Sequence, residues 1–124
     1  MQTIQQQRAK FALEKVQESI TIGVKHKEFK SYASSLPAMI HMNGLGQAAA
    51  FFKSKDKNKY PEYEIIYNLL SEWLTQKGQP YYQSENLLHG ITNKDMQSYQ
   101  LAQIEAQALM DWVKKFAKAF MGDD

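Results

Sequence analysis

The chain contains no cysteine among its 124 residues, so disulfides and thiolate metal sites are excluded. It has only three prolines, no apolar run long enough to span a bilayer and no pattern of a signal peptide at its start. We therefore expect a cytoplasmic protein without membrane contact. The length suits one domain over residues 1–124, and the hydrophobic fraction of 44% is ordinary for a globular fold.

Arginine is nearly absent as well, because Arg8 is the single arginine among 15 basic side chains. The formal net charge of +2 is too small to indicate a nucleic-acid partner by itself. Lysine is a compact point charge that suits phosphate contacts and reads base edges poorly. If the chain binds nucleic acid, we expect it to contact the backbone without reading the sequence.

Residue patterns typical of enzyme sites are also missing. His26, His41 and His89 are far apart in the sequence, and none forms the i, i+4 pair of a helical metal site. Glu14 and Glu18 share a helix face, but a two-metal nuclease needs convergent carboxylates from several elements. The sequence predicts no catalytic residue, no metal, no cofactor and no small-molecule substrate.

Apolar residues recur at spacings of three and four between about Thr3 and Val24, which predicts a first helix. This stripe consists of Ala9, Leu13, Val16, Ile20 and Val24. Ile4, Phe11 and Ile22 fall on the opposite side of the helix. A helix that is apolar on two faces is either enclosed in the core or uses one face to bind a partner. The three residues are therefore candidates for a protein interface, and both alternatives stay open.

The segment 36–55 has the most specific order of residue types. Ser35 is the predicted N-cap of a helix with Pro37 in its first turn, and Gly44 tolerates the left-handed conformation that ends helices. Phe51 and Phe52 follow as large apolar anchors. We expect a packed corner between two helices, followed by a basic loop.

The remaining predictions complete a compact all-α bundle of about five to six helices. Leu45 follows the corner and is expected to be buried, and Pro61 is expected near the start of the next helix. Tyr81 and Tyr82 lie in a turn, where closing the helix packing is favoured over stacking on a base. Asn93 is the predicted N-cap of the last helix, and residues 123–124 are expected to form a frayed tail.

Lysines cluster within residues 25–30, 53–59 and 114–118, and further basic residues lie on the first helix. On a helical wheel the cluster 114–118 spans an arc of about 100°, opposite the apolar stripe of the last helix. The alternative is that these lysines only keep a helical protein soluble. The candidate nucleic-acid contacts are Arg8, Lys10, Lys15, Lys25, Lys27, Lys53, Lys55, Lys114, Lys115 and Lys118.

Several short motifs occur in order over nearly the whole chain. They are Arg8-Ala9, Tyr32, Leu36 to Ile40, Asn43 to Ala48, Tyr67 to Leu74, Tyr99, Glu105-Ala106, Ala108 and Trp112 to Ala117. With these motifs the chain resembles the small, all-helical subunit of the type III-B CRISPR RNA-silencing complex, the Cmr complex. None of the motifs is catalytic, so the resemblance points to a scaffold.

The resemblance implies a non-catalytic structural subunit in antiviral defence. Its partners would be the other Cmr subunits, further copies of itself, and guide and target RNA contacted through phosphates. In this family the copies align head to tail along the filament of backbone subunits and help to form a basic groove for the target RNA, while neighbouring subunits cut. The alternative function is a helical protein–protein adaptor without nucleic-acid contact.

Overall fold

The computed structural model describes residues 1–122 and contains five α-helices. They are α1 (Ile4–Ile22), α2 (His26–Ser54), α3 (Pro61–Leu74), α4 (Leu87–Asn93) and α5 (Met96–Phe120). Residues 1–122 contain no strand, so the prediction of an all-α fold with five or six helices is confirmed. The expected frayed tail, residues 123–124, lies outside the described residues.

Both ends of the first helix lie within two residues of the predicted bounds. The Thr3 hydroxyl accepts a hydrogen bond from the Gln6 backbone N–H and the Gln6 side chain accepts one from the Thr3 N–H, which is a capping box. The buried face is rotated from the predicted stripe, because Phe11 and Ala12 lie in the core while Leu13 is only half-buried. The Phe11 ring packs on that of Trp73 with the centroids 5.0 Å apart.

The second helix differs from the prediction at its start. It begins at His26 and continues through Ser35 and Pro37, so Ser35 is not an N-cap and its hydroxyl donates to the Tyr32 carbonyl within the helix. A proline inside a helix removes one backbone hydrogen bond. The flanking Leu36 and Ile40 are each only 1% exposed, and their burial offsets this cost.

The helix breaks at Gly44, whose φ of 87° and ψ of 158° lie in a region accessible almost only to glycine. We call residues 26–43 and 45–54 the two limbs of α2. Side chains of α5 cap the second limb: the Leu45 N–H donates to Gln103 Oε1, and the Gly46 N–H donates to Tyr99 Oη, both at 2.9 Å. These donors would otherwise be unsatisfied at a helix start. The predicted corner therefore exists at Gly44, with α5 supplying its caps.

The residues that follow the corner are mostly buried as predicted. Leu45 is 0% exposed and Phe52 is 1% exposed, which confirms both predictions. Phe51 is 40% exposed, so its prediction as a second buried anchor is wrong. Neighbouring positions on a helix point about 100° apart, and only the ring of Phe52 faces the core.

In the second half of the chain, α3 begins where predicted and α5 begins later than predicted. Pro61 occupies the first turn of α3. Asn93 is the last residue of α4, and Asp95 is the N-cap of α5 through a 2.8 Å hydrogen bond from the Ser98 N–H, so the prediction for Asn93 is wrong. Tyr81 is 0% exposed in the connection before α4, so the prediction that the tyrosine pair closes the packing is confirmed for Tyr81. Tyr82 is 44% exposed, so the prediction is wrong for the second ring.

Candidate nucleic-acid and protein-binding surfaces

No group of three histidine, aspartate or glutamate side chains within residues 1–122 is close enough to hold a metal ion. A cleft of about 510 Å³ lies between α1 and α3 and is lined in part by Glu18, Glu72 and Glu85. Lys15 spans this cleft, with its Nζ 2.6 Å from Glu72 Oε2. None of the helices in the described part of the chain is both long and apolar enough to cross a membrane.

Two of the basic candidates on α1 form ion pairs inside the fold. Arg8 Nε donates to Glu105 Oε2 at 2.7 Å, and the second oxygen of Glu105 accepts from Trp73 Nε1 at 3.1 Å. The side chains of Arg8 and Glu105 are only 20% and 10% exposed, so this pair joins α1, α3 and α5 at the edge of the core. Sequence reasoning missed Glu105 because it lies 97 positions from Arg8.

Lys15 is similarly engaged. Burial disfavours its charge, but hydrogen bonds and charge interactions with Glu72 and Glu18 outweigh this effect, so the pKa of Lys15 is raised above its ordinary value. Its ammonium also lies 5.4 Å from the centre of the Phe11 ring. Of the three basic candidates on α1, Lys10 is the exposed one.

The packing register brings the three lysine clusters to one end of the bundle. Gln107 Nε2 donates to the Pro37 carbonyl at 2.9 Å, and Gln103 and Tyr99 contact the Gly44 corner, so α5 runs antiparallel to the first limb of α2. From the Pro37–Gln107 contact, the clusters 25–30 and 114–118 both lie roughly 10–18 Å further toward the same end, at 1.5 Å of helix rise per residue.

The third cluster reaches this end because α2 folds back at Gly44. Tyr63, near the start of α3, stacks on Tyr32 of the first limb with ring centroids 3.7 Å apart and meets Phe52 of the second limb at 4.9 Å. The Lys25 N–H donates to Glu62 Oε2 at 2.9 Å, which ties the start of α2 to the start of α3. Lys53 and Lys55 therefore lie near the cluster that begins at Lys25.

We call this end of the bundle the basic end. It consists of the segments 25–30, 53–64 and 111–118. These segments carry ten of the 14 lysines and five acidic residues. One of those acids, Glu62, is only 2% exposed and contributes little to the surface. The lysines are Lys25, Lys27, Lys30, Lys53, Lys55, Lys57, Lys59, Lys114, Lys115 and Lys118. A cationic surface of this kind attracts phosphate or carboxylate groups.

The lysines of the last cluster are exposed. Lys114, Lys115 and Lys118 all project from the last two turns of α5, while Val113 and Ala117 of the same turns are buried. Lys115 Nζ lies 3.0 Å from Asp111 Oδ2, and both side chains are more than 60% exposed. A pair in that environment is screened by water and holds the lysine only weakly.

The candidate protein-interface residues separate into two environments. Phe11 is 8% exposed and belongs to the core, whereas Ile4 and Ile22 are 46% and 67% exposed. Ile4 lines a cleft together with Leu101 and Ile104 of α5, which are 52% and 69% exposed. We call these three residues the apolar patch. Sequence reasoning missed Leu101 and Ile104, although their spacing of three marks a second apolar stripe on α5.

Comparisons with known proteins cover the whole fold. The family model described as CRISPR-associated protein (Cas_Cmr5) matches residues 4–120. The chain is also similar to the X-ray crystal structure of a CRISPR-associated Cmr5 family protein from Thermus thermophilus. That similarity has a TM-score of 0.80 and 28% sequence identity, and it covers 98% of this chain and 100% of the other.

Proposed function

The chain belongs to the Cmr5 family of CRISPR-associated proteins, and from this premise we propose that it is a non-catalytic structural subunit of a type III-B ribonucleoprotein. It consists of a single helical domain that acts in the cytoplasm. It packs with other Cmr subunits and with further copies of itself along the backbone filament. There it contributes positive charge to the groove that holds the target RNA.

The basic end carries this proposal. Three clusters that are distant in the sequence meet at one end of the bundle. Lysines spread over the whole surface would keep the protein soluble equally well, so solubility alone does not explain this arrangement. Ammonium groups neutralise phosphates and release condensed counterions, so each contact adds to a salt-dependent affinity. The candidates that serve this role are the lysines of the basic end, since Arg8 and Lys15 are paired with glutamates. Lys10 is exposed but lies beside Trp73 and Gln76, away from the basic end.

The absence of arginine from the basic end defines how RNA is contacted. The single arginine of the chain is Arg8, which lies in the ion pair with Glu105. Lysines offer no planar fork for guanine or for two oxygens of one phosphate. The subunit therefore contacts the backbone of any target, and base pairing with the guide supplies the sequence specificity.

The test compares two triple variants with the same loss of charge in the assembled complex. One removes the exposed lysines of the last helix at the basic end, and the control removes three exposed lysines elsewhere. The first is Lys114→Ala, Lys115→Ala and Lys118→Ala, and the control is Lys10→Ala, Lys77→Ala and Lys94→Ala. Target-RNA affinity is measured over a range of salt concentrations for several target sequences.

The variant at the basic end should weaken every target about equally and flatten the slope of log affinity against log salt. The control should leave both quantities near wild type, and both variants should assemble normally. A parallel variant with Lys53, Lys55, Lys57 and Lys59 replaced by alanine shows whether the loop cluster shares the contact. Equal effects of the control and the test variants would mean that the subunit contributes only general charge.

The apolar patch favours the second candidate function, a protein–protein adaptor without nucleic-acid contact. Ile4, Leu101 and Ile104 form an exposed apolar surface away from the basic end, and such surfaces commonly mark protein contacts. Ile104→Glu should leave a folded chain that fails to join the complex, with Lys94→Glu as the surface control. If only the Ile104 variant fails to assemble and no lysine variant alters RNA affinity, the adaptor function is favoured.

A further inference from the structure

Aromatic rings are packed around Tyr63 at the basic end. Phe51, Phe52 and Tyr60 meet the Tyr63 ring edge to face, with centroids 6.0, 4.9 and 6.4 Å away, and Tyr32 stacks on it at 3.7 Å. The cluster connects both limbs of α2 to the start of α3. This arrangement fixes the positions of the rings on the basic surface.

Core packing accounts for only some of these rings. Phe52 is 1% exposed, whereas Phe51 and Tyr60 leave 40% and 39% of their surface in water. The two exposed rings flank the loop 53–59, which carries four lysines and one aspartate. Large exposed rings beside a cationic loop are the combination that single-stranded nucleic-acid sites use.

Each exposed ring has an ammonium group near its face. Lys55 Nζ lies 4.4 Å from the centre of the Phe51 ring, and Lys59 Nζ lies 5.6 Å from that of Tyr60. These distances are within the range of cation–π contacts. A base that stacks on either ring would have an ammonium beside it that can move to the adjoining phosphate. An apolar protein partner would instead have to cover these charges.

The loop between the rings has a defined shape. Asp56 Oδ1 accepts from the Asn58 and Lys59 N–H groups at 2.8 and 3.3 Å, and the Asp56 carbonyl accepts from the Tyr60 N–H at 2.7 Å. The one acidic residue of the loop is thus used to hold the turn. Holding the turn also fixes the backbone positions from which Lys59 and Tyr60 project.

We propose that Phe51 and Tyr60, with Lys55 and Lys59, form a stacking site for an unpaired base of a single-stranded RNA. The proposal rests on the proposed function and narrows the ligand to unpaired nucleotides. Bases within a duplex are covered on both faces by their neighbours, so only an unpaired or end base can use the rings. The lysines contact the phosphates of the same strand.

The test measures binding of the full chain, at low salt, to three fluorescent ligands of equal length. They are a single-stranded RNA, the same strand paired with its complement, and a single strand whose central positions are abasic. The variants Phe51→Leu and Tyr60→Leu keep apolar bulk and remove the aromatic face. Tyr82→Leu is the matched control, because Tyr82 is 44% exposed and lies outside the aromatic cluster.

Each leucine variant at the stacking site should weaken single-stranded binding by roughly 5- to 150-fold, the range of one lost base–aromatic stack. Duplex and abasic affinities should stay unchanged, and the salt slope should be that of wild type. Tyr60→Trp keeps an aromatic face and should bind the single strand at least as tightly as wild type does. Circular dichroism of every variant identifies any loss of helix.

Equal weakening for all three ligands, or no change for any, would overturn the stacking site while leaving the phosphate contacts in place. Loss of assembly with the other Cmr subunits at unchanged RNA affinity would also overturn it and assign the rings to a protein contact. Failure of wild type to bind any ligand, with or without the other subunits, would instead remove the proposed RNA contact itself.

Discussion

The ion pair between Arg8 and Glu105 provides a test of whether a basic residue belongs to the fold or to the proposed RNA surface. Arg8→Gln removes the charge that neutralises Glu105, whose side chain is only 10% exposed and already accepts a hydrogen bond from Trp73. Exposed ion pairs contribute about 0–1 kcal/mol. Removing one partner of a fully buried pair costs about 3–5 kcal/mol.

The exposure of this pair lies between those two cases, so we expect Arg8→Gln to lower the free energy of unfolding by about 2–3 kcal/mol. For a domain of this size such a loss lowers Tm by roughly 10 °C. The double variant Arg8→Gln, Glu105→Gln should be less destabilised than the sum of the single variants, by about 1–2 kcal/mol. In that variant two amides can hydrogen-bond without an uncompensated charge.

The assay is thermal and urea unfolding followed by circular dichroism, combined with RNA binding by the assembled complex. Lys115→Gln is the control, because its pair with Asp111 is exposed and should change stability by less than about 1 kcal/mol. The reasoning is refuted if Arg8→Gln leaves Tm unchanged but weakens RNA binding as much as a lysine variant of the basic end. That result would make Arg8 a phosphate contact.

Three further predictions concern the corner and the caps. Gly44→Ala should destabilise the chain by about 1–3 kcal/mol in urea unfolding, because its φ of 87° and ψ of 158° strain any side chain. Phe52→Ala should cost about 3–5 kcal/mol, whereas Phe51→Ala should cost less than about 1 kcal/mol by the same measurement. Hydrogen bonding from Ser98 lowers the pKa of Asp95 below 3.8. The wild-type chain should therefore have a higher Tm than Asp95→Ala above pH 3.8, and this difference should disappear as the pH falls through the lowered pKa.

The parts of the fold that the sequence predicted are those that depend on neighbouring residues. The start of α3 follows from Pro61, and the bounds of α1 follow from its apolar period. The break at Gly44 is equally local, because its backbone conformation excludes most other residues. Such signals act over a few positions and need no knowledge of the rest of the chain.

The sequence could not settle the features in which distant residues decide the outcome. Pro37 is tolerated inside α2 because other elements bury the nearby Leu36 and Ile40. Phe11 belongs to the core because Trp73 packs on it, 62 positions along the chain. Arg8 pairs with Glu105 across an even longer separation. No periodicity within one helix could indicate any of these contacts.

The basic end depends on the same corner that gives the fold its shape. A straight helix of the 29 residues in α2 would be about 44 Å long, at 1.5 Å per residue. Lys25 and Lys55 would then lie at opposite ends of the molecule. The reversal at Gly44 instead brings both limbs to the Tyr63 ring, and the antiparallel register of α5 adds Lys114. The reversal at Gly44 and the register of α5 together convert three separate stretches of lysine into one cationic surface. A change at Gly44 should consequently weaken RNA binding by the complex without removing any charge.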